Sequence, residues 1–134
     1  MNELDDLMHE FCPATGRIVA EDTDGKANIL FQTFVSRGQV RSFSLMSDMT
    51  YIQQNASRIV RAVFEIVLKR GMAKLSSRVL KLCKCVDTRM WPWDSELRQF
   101  GFHKLTADVL RKIEGKSLDA VKLRDLSSGE IGLI

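Results

Sequence analysis

SLMSDMTYIQQNASRIVRAVFEIVLKRG, residues Ser44–Gly71, is the stretch that decides the fold of this chain. It contains no proline, and its only glycine is its last residue, so the pattern predicts one long helix. Ser47-Asp48 is a typical N-cap, and the cations of Lys69-Arg70 before a glycine are typical of a helix end. We therefore predict a long helix that begins near Ser47-Asp48 and ends near Gly71.

The apolar side chains of this helix cover most of its circumference when they are placed 100° apart per residue. They are Met49, Ile52, Ala56, Ile59, Val60, Val63, Ile66 and Val67. A helix that is apolar over so wide an arc is expected to be enclosed by other helices, with only a polar stripe exposed. The sequence thus predicts an all-α fold, a helical bundle around one long central helix.

The polar stripe of this helix carries the candidate functional side chains. Gln54, Arg58, Arg61 and Glu65 project in nearly one direction, and Asn55 lies beside them. Guanidinium and amide groups can contact the phosphates, sugars and bases of a nucleic acid. A core helix with a solvated charged face gives the same pattern, and an arginine here could simply pair with Glu65. Spacing alone leaves both interpretations open.

The net charge of +3 is unevenly distributed along the chain. Residues 1–24 contain seven acidic residues and one basic residue, whereas residues 25–134 contain nineteen basic and ten acidic ones. The segment Arg41–Arg89 has ten basic residues against three acidic ones. A basic body with an acidic leader suits a polyanionic partner, although solvated lysines explain much of the same composition.

The cysteines and histidines do not form a metal-binding or catalytic pattern. Cys12, Cys83 and Cys85 are odd in number and lack zinc-ligand spacing, which favours free thiols in a reducing, intracellular compartment. His9 and His103 are far apart and have no nucleophile in a catalytic pattern. There is no signal peptide and no apolar run of about 18 residues, so we expect a soluble protein without a membrane partner. We predict no metal, no cofactor and no catalytic residue in this chain.

Helical periodicity continues on both sides of the long helix. Before it, we predict helices at Asn2–Phe11 and Gly25–Arg37. After it, we predict a helix at Lys74–Asp87, with Leu75 on its inner face, and one further turn at Ser95–Phe100, with Phe100 packed inward. The break at Met90–Trp93 holds two tryptophans, which we expect to fill a corner of the core, with base stacking as the alternative.

A second group of short helices is predicted after Thr106, which caps the first of them. Ser127 or Ser128 caps a last helix that has barely begun at Ile134, a pattern typical of a piece of a longer protein. We therefore expect a helical bundle over residues 1–104 and a partial helix–loop–helix over residues 105–134.

Several separated motifs resemble the Sec-63 homology unit of the Ski-two-like DExH-box helicases. They are Gly25–Gly38 (GKANILFQTFVSRG), Phe43–Tyr51 (FSLMSDMTY), Gln54–Ala62 (QNASRIVRA), Phe64–Ile66 (FEI), Leu82–Lys84 (LCK), Asp87, Arg89–Trp91 (RMW), Leu97–Phe100 (LRQF) and Leu126–Gly132 (LSSGEIG). They occur in the family's order and span nearly the whole chain. Two branches of the family are nearest, a cointegrator-type branch, which we favour, and a spliceosomal branch.

The resemblance implies a non-catalytic accessory unit of an ATP-dependent helicase. In this family the long helix is called the ratchet helix, and it touches the unwound single strand. Carried over by position, the nucleic-acid-binding residues are Gln54, Asn55, Arg58 and Arg61. The implied partners are single-stranded nucleic acid, the helicase lobes of the same parent chain and other subunits of a cointegrator-type complex, while ATP and magnesium belong to those lobes.

The resemblance also implies a cellular setting for the parent protein. That setting is DNA repair, transcription coactivation or ribosome quality control, in the nucleus and cytoplasm. A protein-interaction scaffold within a spliceosomal or other multi-subunit complex is the alternative function. The motifs leave the choice between DNA and RNA open.

Overall fold

The computed structural model describes residues 2–14, 16, 22–100, 104–116, 118 and 120–133. In this part of the chain there are seven α-helices, one short 3-10 helix and no strand, so the predicted all-α class is confirmed. None of the described helices is long and apolar enough to cross a membrane. The chain divides into two compact units, Met1–Pro92 and Trp93–Ile134.

The first unit consists of four helices. They are α1 (Glu3–Phe11), α2 (Thr23–Val35), α3 (Phe43–Lys69) and α4 (Ala73–Thr88). All four predicted helices of this part are confirmed, with ends that differ by a few residues. α2 begins before the predicted glycine because Asp22 occupies the N-cap position in an extended conformation.

The long helix α3 starts earlier than predicted. Its N-cap is Ser42, not the Ser47-Asp48 pair. The carboxylate of Glu3 accepts hydrogen bonds from the backbone nitrogens of Arg41 at 2.6 Å and Ser42 at 2.9 Å, which fixes the chain just ahead of the first turn. Asp48 instead pairs with Lys26 of α2 at 2.6 Å, so its carboxylate serves packing between helices rather than capping.

The contact of Glu3 with the backbone of Arg41 and Ser42 leads to a prediction about stability. We expect Glu3→Ala to lower the free energy of unfolding by about 1 kcal/mol, because two backbone donors lose a charged acceptor while water replaces part of the interaction. Urea unfolding of the 134-residue chain measures the change. Glu10→Ala, an exposed acid on the same helix, is the control and should change stability little. Equal losses in the two variants would contradict the anchoring role.

The centre of the hydrophobic core lies on α2. The most completely buried large side chains are Ile29, Leu30, Thr33 and Val35, each less than 2% exposed. α3 contributes a single buried side to this core, formed by Leu45, Met49, Ala56, Val60 and Val67. The expected enclosure of the whole apolar arc is therefore wrong for Ile59, Val63 and Ile66, which are 55%, 43% and 53% exposed.

The C-terminal ends of α2 and α4 are joined by an exchange of arginine side chains. Arg37 follows α2 and donates hydrogen bonds to the carbonyls of Arg89 at 3.0 Å and Thr88 at 3.1 Å. Arg89 follows α4 and donates through Nε to the carbonyl of Phe34 at 3.0 Å, with its guanidinium 4.7 Å from the centre of that ring. Each cation thus satisfies the carbonyl end of the opposite helix, where positive charge is favoured.

The two tryptophans after α4 lie in different environments. Trp91 packs on the core and donates through Nε1 to the hydroxyl of Ser36 at 2.8 Å, while that hydroxyl donates to the carbonyl of Phe11 at 2.8 Å. Trp93 is 64% exposed. The prediction that both indoles fill a core corner is therefore confirmed for Trp91 and wrong for Trp93.

The second unit contains the 3-10 helix Glu96–Gln99 and the helices α5 (Ala107–Gly115), α6 (Ala120–Asp125) and α7 (Ser128–Gly132). Thr106 caps α5, and Ser127 caps α7 with a reciprocal bond to Glu130, so the predicted caps are confirmed. Arg98 forms a two-bond contact with Glu114, at 2.8 and 3.1 Å.

Two apolar residues predicted to face inward are partly exposed. Leu75 near the start of α4 is 43% exposed, and so is Phe100 after the 3-10 helix. Both lie within one turn of a helix end. Periodicity assigns a helix face there, but it does not show whether another element reaches that far.

Candidate nucleic-acid interface

The predicted nucleic-acid-binding residues lie in the middle of α3. Gln54, Arg58 and Arg61 are exposed, and Asn55 is partly exposed. The two turns from Gln54 to Arg61 span about 10 Å along the axis, with all four residues on one side of the helix. The helix thus presents two cations and two amides as one short polar surface.

Arg58 is held by a hydrogen-bond chain within α3. Its Nη2 donates to Oδ1 of Asn55 at 2.8 Å, and Nδ2 of Asn55 donates to the backbone carbonyl of Tyr51 at 2.8 Å. The amide of Asn55 therefore orients the arginine without opposing its charge. A guanidinium carries five N–H donors in a planar fork, so this one bond is compatible with bidentate contact to a phosphate.

Arg61 has a charged partner on the neighbouring helix. Its Nη2 lies 2.6 Å from Oδ2 of Asp87 on α4, and the hydroxyl of Ser57 donates to the other carboxylate oxygen at 2.5 Å. The hydrogen bonds from Ser57 and Arg61 lower the pKa of Asp87, and the hydrogen bond to Asp87 together with its negative charge raises the pKa of Arg61. Asp87 therefore remains ionised to more acidic pH than a solvated aspartate.

Sequence reasoning missed Asp87 and Ser57 as parts of this site. It offered Glu65 on the same helix as the partner of an arginine, whereas the structure pairs Arg61 with α4 and Arg58 with Asn55. Asp87 carries a signal that was available in the sequence, because it is the only acidic residue in the basic helix α4.

The outer face of α4 adds positive charge to this region. Lys74, Arg78, Lys81 and Lys84 are all exposed. Lys84 lies three residues before Asp87, within one turn, and therefore on the side of α4 that meets Arg61. We call Arg58, Arg61 and Lys84 the basic surface. A surface of this kind attracts the phosphates of a nucleic acid whatever its base sequence.

An exposed apolar stripe lies on another side of α3, at least about 80° around the helix from Arg58. It is formed by Ile59, Val63 and Ile66, which recur at the i, i+4, i+7 spacing of one helix face. Tyr51, one turn before Asn55, is 68% exposed. Exposed apolar groups can contact sugars and unstacked bases, and they can equally pack against another protein.

The described residues contain no group of three or more His, Cys, Asp or Glu side chains placed to hold a metal ion. Cys12, Cys83 and Cys85 are buried and form no disulfide bond. Burial is the main cause that raises the pKa of Cys12 and of Cys83, which makes each a weaker nucleophile at neutral pH.

Comparison with known proteins identifies relatives of this chain. The family model described as the Sec63 Brl domain matches residues 1–125. Activating signal cointegrator 1 complex subunit 3 is 48% identical over 134 residues in Gallus gallus and 46% identical over 134 residues in Bos taurus, with 98% and 100% of this chain covered. The U5 small nuclear ribonucleoprotein 200 kDa helicase of Homo sapiens is 44% identical over 130 residues, with 97% covered. The chain spans only 6% of the length of each of these relatives.

Proposed function

Because this chain belongs to the Sec63 Brl domain family, we propose that it is a non-catalytic unit of an ATP-dependent nucleic-acid helicase and that α3 guides the unwound single strand. The observation that carries the proposal is the exposure of Arg58 and Arg61 on one side of α3, where Arg61 contacts Asp87 of the basic helix α4. The name of one relative contains the word helicase, which supports this class of parent protein.

The proposed contacts follow from the chemistry of the four side chains. Arg58 and Arg61 bind phosphates, because a guanidinium matches two phosphate oxygens at once. Gln54 and Asn55 contact sugars or bases, and Asn55 also orients Arg58. Contacts of this kind carry little base specificity, as a translocating unit requires.

The parent protein supplies the remaining chemistry in this proposal. Its helicase lobes bind ATP and magnesium and move the strand, while this unit only contacts it. The names of the relatives place them in a cointegrator complex and in a small nuclear ribonucleoprotein. We therefore propose other subunits of a multi-subunit complex as partners, with the nucleus, and also the cytoplasm, as the setting. DNA repair, transcription coactivation and ribosome quality control are the proposed roles.

The test is Arg58→Glu together with Arg61→Glu in the full-length protein that carries this chain. We expect at least about tenfold weaker binding of a labelled oligothymidylate or oligouridylate strand, because two cations become two anions. The slope of log affinity against log salt should become shallower by about 1.4, because each arginine that neutralises a phosphate accounts for about 0.7 of the slope on a single strand. Fluorescence anisotropy measures both, and a strand-displacement assay measures unwinding.

The matched control is Lys112→Glu together with Lys116→Glu, which reverses the charge of two exposed lysines of the second unit and changes the net charge by the same amount. It should leave strand affinity nearly unchanged. If the α3 variant retains the affinity and unwinding of the unchanged protein, guidance of the strand by α3 is excluded.

A protein-interaction scaffold is the second candidate function. The exposed apolar stripe of Ile59, Val63 and Ile66 favours it, because exposed apolar side chains at helical spacing suit an interface with another protein. In that case Ile59→Ser together with Ile66→Ser would weaken assembly of the complex, whereas reversal of the two arginines would leave both strand binding and assembly unchanged.

A further inference from the structure

Asp87 makes an unusual set of contacts for a surface carboxylate. Both of its oxygens accept hydrogen bonds from α3, one from Ser57 at 2.5 Å and one from Arg61 at 2.6 Å. Its side chain is nevertheless 36% exposed, and that of Arg61 is 64% exposed. The carboxylate is therefore held at the solvent-facing edge of the junction between α3 and α4.

This position does little for the stability of α4. Asp87 lies in the last turn of α4, where the negative end of the helix dipole disfavours an acid. An ion pair this exposed also contributes little to folding in water. The placement is better explained by its effect on Arg61.

A phosphate and Asp87 compete for the same guanidinium. Arg61 can turn toward a strand phosphate only by sharing or leaving the carboxylate, and the phosphate then lies within several ångströms of a like charge. Arg58 differs, because its partner Asn55 is neutral and does not repel a phosphate. A phosphate bound by Arg61 is therefore repelled by a nearby carboxylate, whereas a phosphate bound by Arg58 is not repelled by Asn55.

We propose that Asp87 is a positioning residue that holds Arg61 and weakens its contact with the strand, so that this contact is released easily. The inference rests on the proposed strand-guiding function of α3. A strand that moves along a helix must leave each contact as readily as it forms it. Arg58 provides the stronger contact, and the pair Arg61–Asp87 provides the releasable one.

The test is Asp87→Asn in the full-length protein, with the same labelled single strands. Asparagine has nearly the same shape, and it removes the charge while each neighbour can keep a hydrogen bond: its Oδ1 can accept from Arg61, and its Nδ2 can donate to the hydroxyl oxygen of Ser57. We expect strand affinity to rise about three- to tenfold, the effect of one like charge removed several ångströms from a phosphate in high dielectric. The salt slope should steepen by up to about 0.7, and the gain should appear as slower dissociation.

Asp48→Asn is the matched control. Asp48 also forms an exposed ion pair, with Lys26 at 2.6 Å, and its replacement changes the net charge by the same amount. It lies more than three turns of α3 away from Arg61, so this change should alter strand affinity less than twofold. This control separates a local effect on Arg61 from a general gain in positive charge.

The dependence on Arg61 is tested by a double variant. If Asp87 acts through Arg61, Asp87→Asn should give a smaller gain in an Arg61→Gln background than in the unchanged protein. An unchanged or lower affinity for Asp87→Asn, or an equal gain in both backgrounds, overturns the inference. Failure of the strand-guiding function would look different, because Arg58→Glu with Arg61→Glu would then leave strand binding intact.

Discussion

Arg89→Met is expected to lower the free energy of unfolding of this chain by about 3 kcal/mol. The guanidinium donates to the carbonyl of Phe34 and lies over its ring, so the substitution removes a charged hydrogen bond and a cation–π contact together. It also leaves the carbonyl end of α2 without its cation. Burial lowers the pKa of Arg89, and the nearby charge of Arg37 lowers it further, which identifies a site where desolvation must be offset by these contacts.

Urea unfolding of the 134-residue chain checks this prediction. Arg78→Met is the control, because Arg78 lies on the exposed face of α4, the helix that Arg89 follows, and should tolerate the change within about 0.5 kcal/mol. Arg89 has φ of 51°, so Arg89→Gly separates backbone strain from the side chain's own interactions. If strain dominated, glycine would stabilise the chain, and we expect it to destabilise the chain instead.

Gly38→Ala is expected to cost about 2 kcal/mol through overpacking. A Cβ atom at this position would lie 2.7 Å from Cγ2 of Thr33 and 2.8 Å from Cγ of Phe11. Thr33 is fully buried and its hydroxyl is fixed to the carbonyl of Ile29 at 2.8 Å, so it cannot easily give way. The connection from α2 to α3 therefore needs glycine for space.

Thermal and urea unfolding measure this effect against Gly16→Ala, where an added Cβ meets nothing within 4 Å. Thr33→Ser removes the methyl group that lies closest to the added Cβ, while its hydroxyl can keep the bond to Ile29. Combined with Gly38→Ala, it should recover part of the stability. Equal stability of the two glycine variants would show that the connection has room for a side chain.

Periodicity and helix-end signals were sufficient to predict the helices, because each element of this chain has its own apolar spacing and stop residues. They failed at the start of α3, where the decisive contact comes from Glu3, far away in the sequence. They also failed on the exposed apolar stripe. A helical pattern shows which side chains share a face, but not which faces other elements cover.

The family was predicted from its motifs, and the comparisons confirm it, with the cointegrator branch ahead of the spliceosomal one. Of the site, the exposure of Arg58 and Arg61 followed from spacing along one helix. The role of Asp87 did not, because its contact with Arg61 exists only once α3 and α4 have packed. To predict a contact between residues on two helices, one must know how the helices are aligned against each other. Composition and helical periodicity do not contain that information.

The buried thiols provide a built-in reporter of bundle opening. Cys12 lies at the end of α1, whereas Cys83 and Cys85 lie on α4, so the sulfur atoms sample separate parts of the core. Alkylation of each native thiol must wait until its own helix detaches. Cysteine labelling followed by peptide mass analysis would therefore show whether α1 and α4 separate from α2 in one step or in succession.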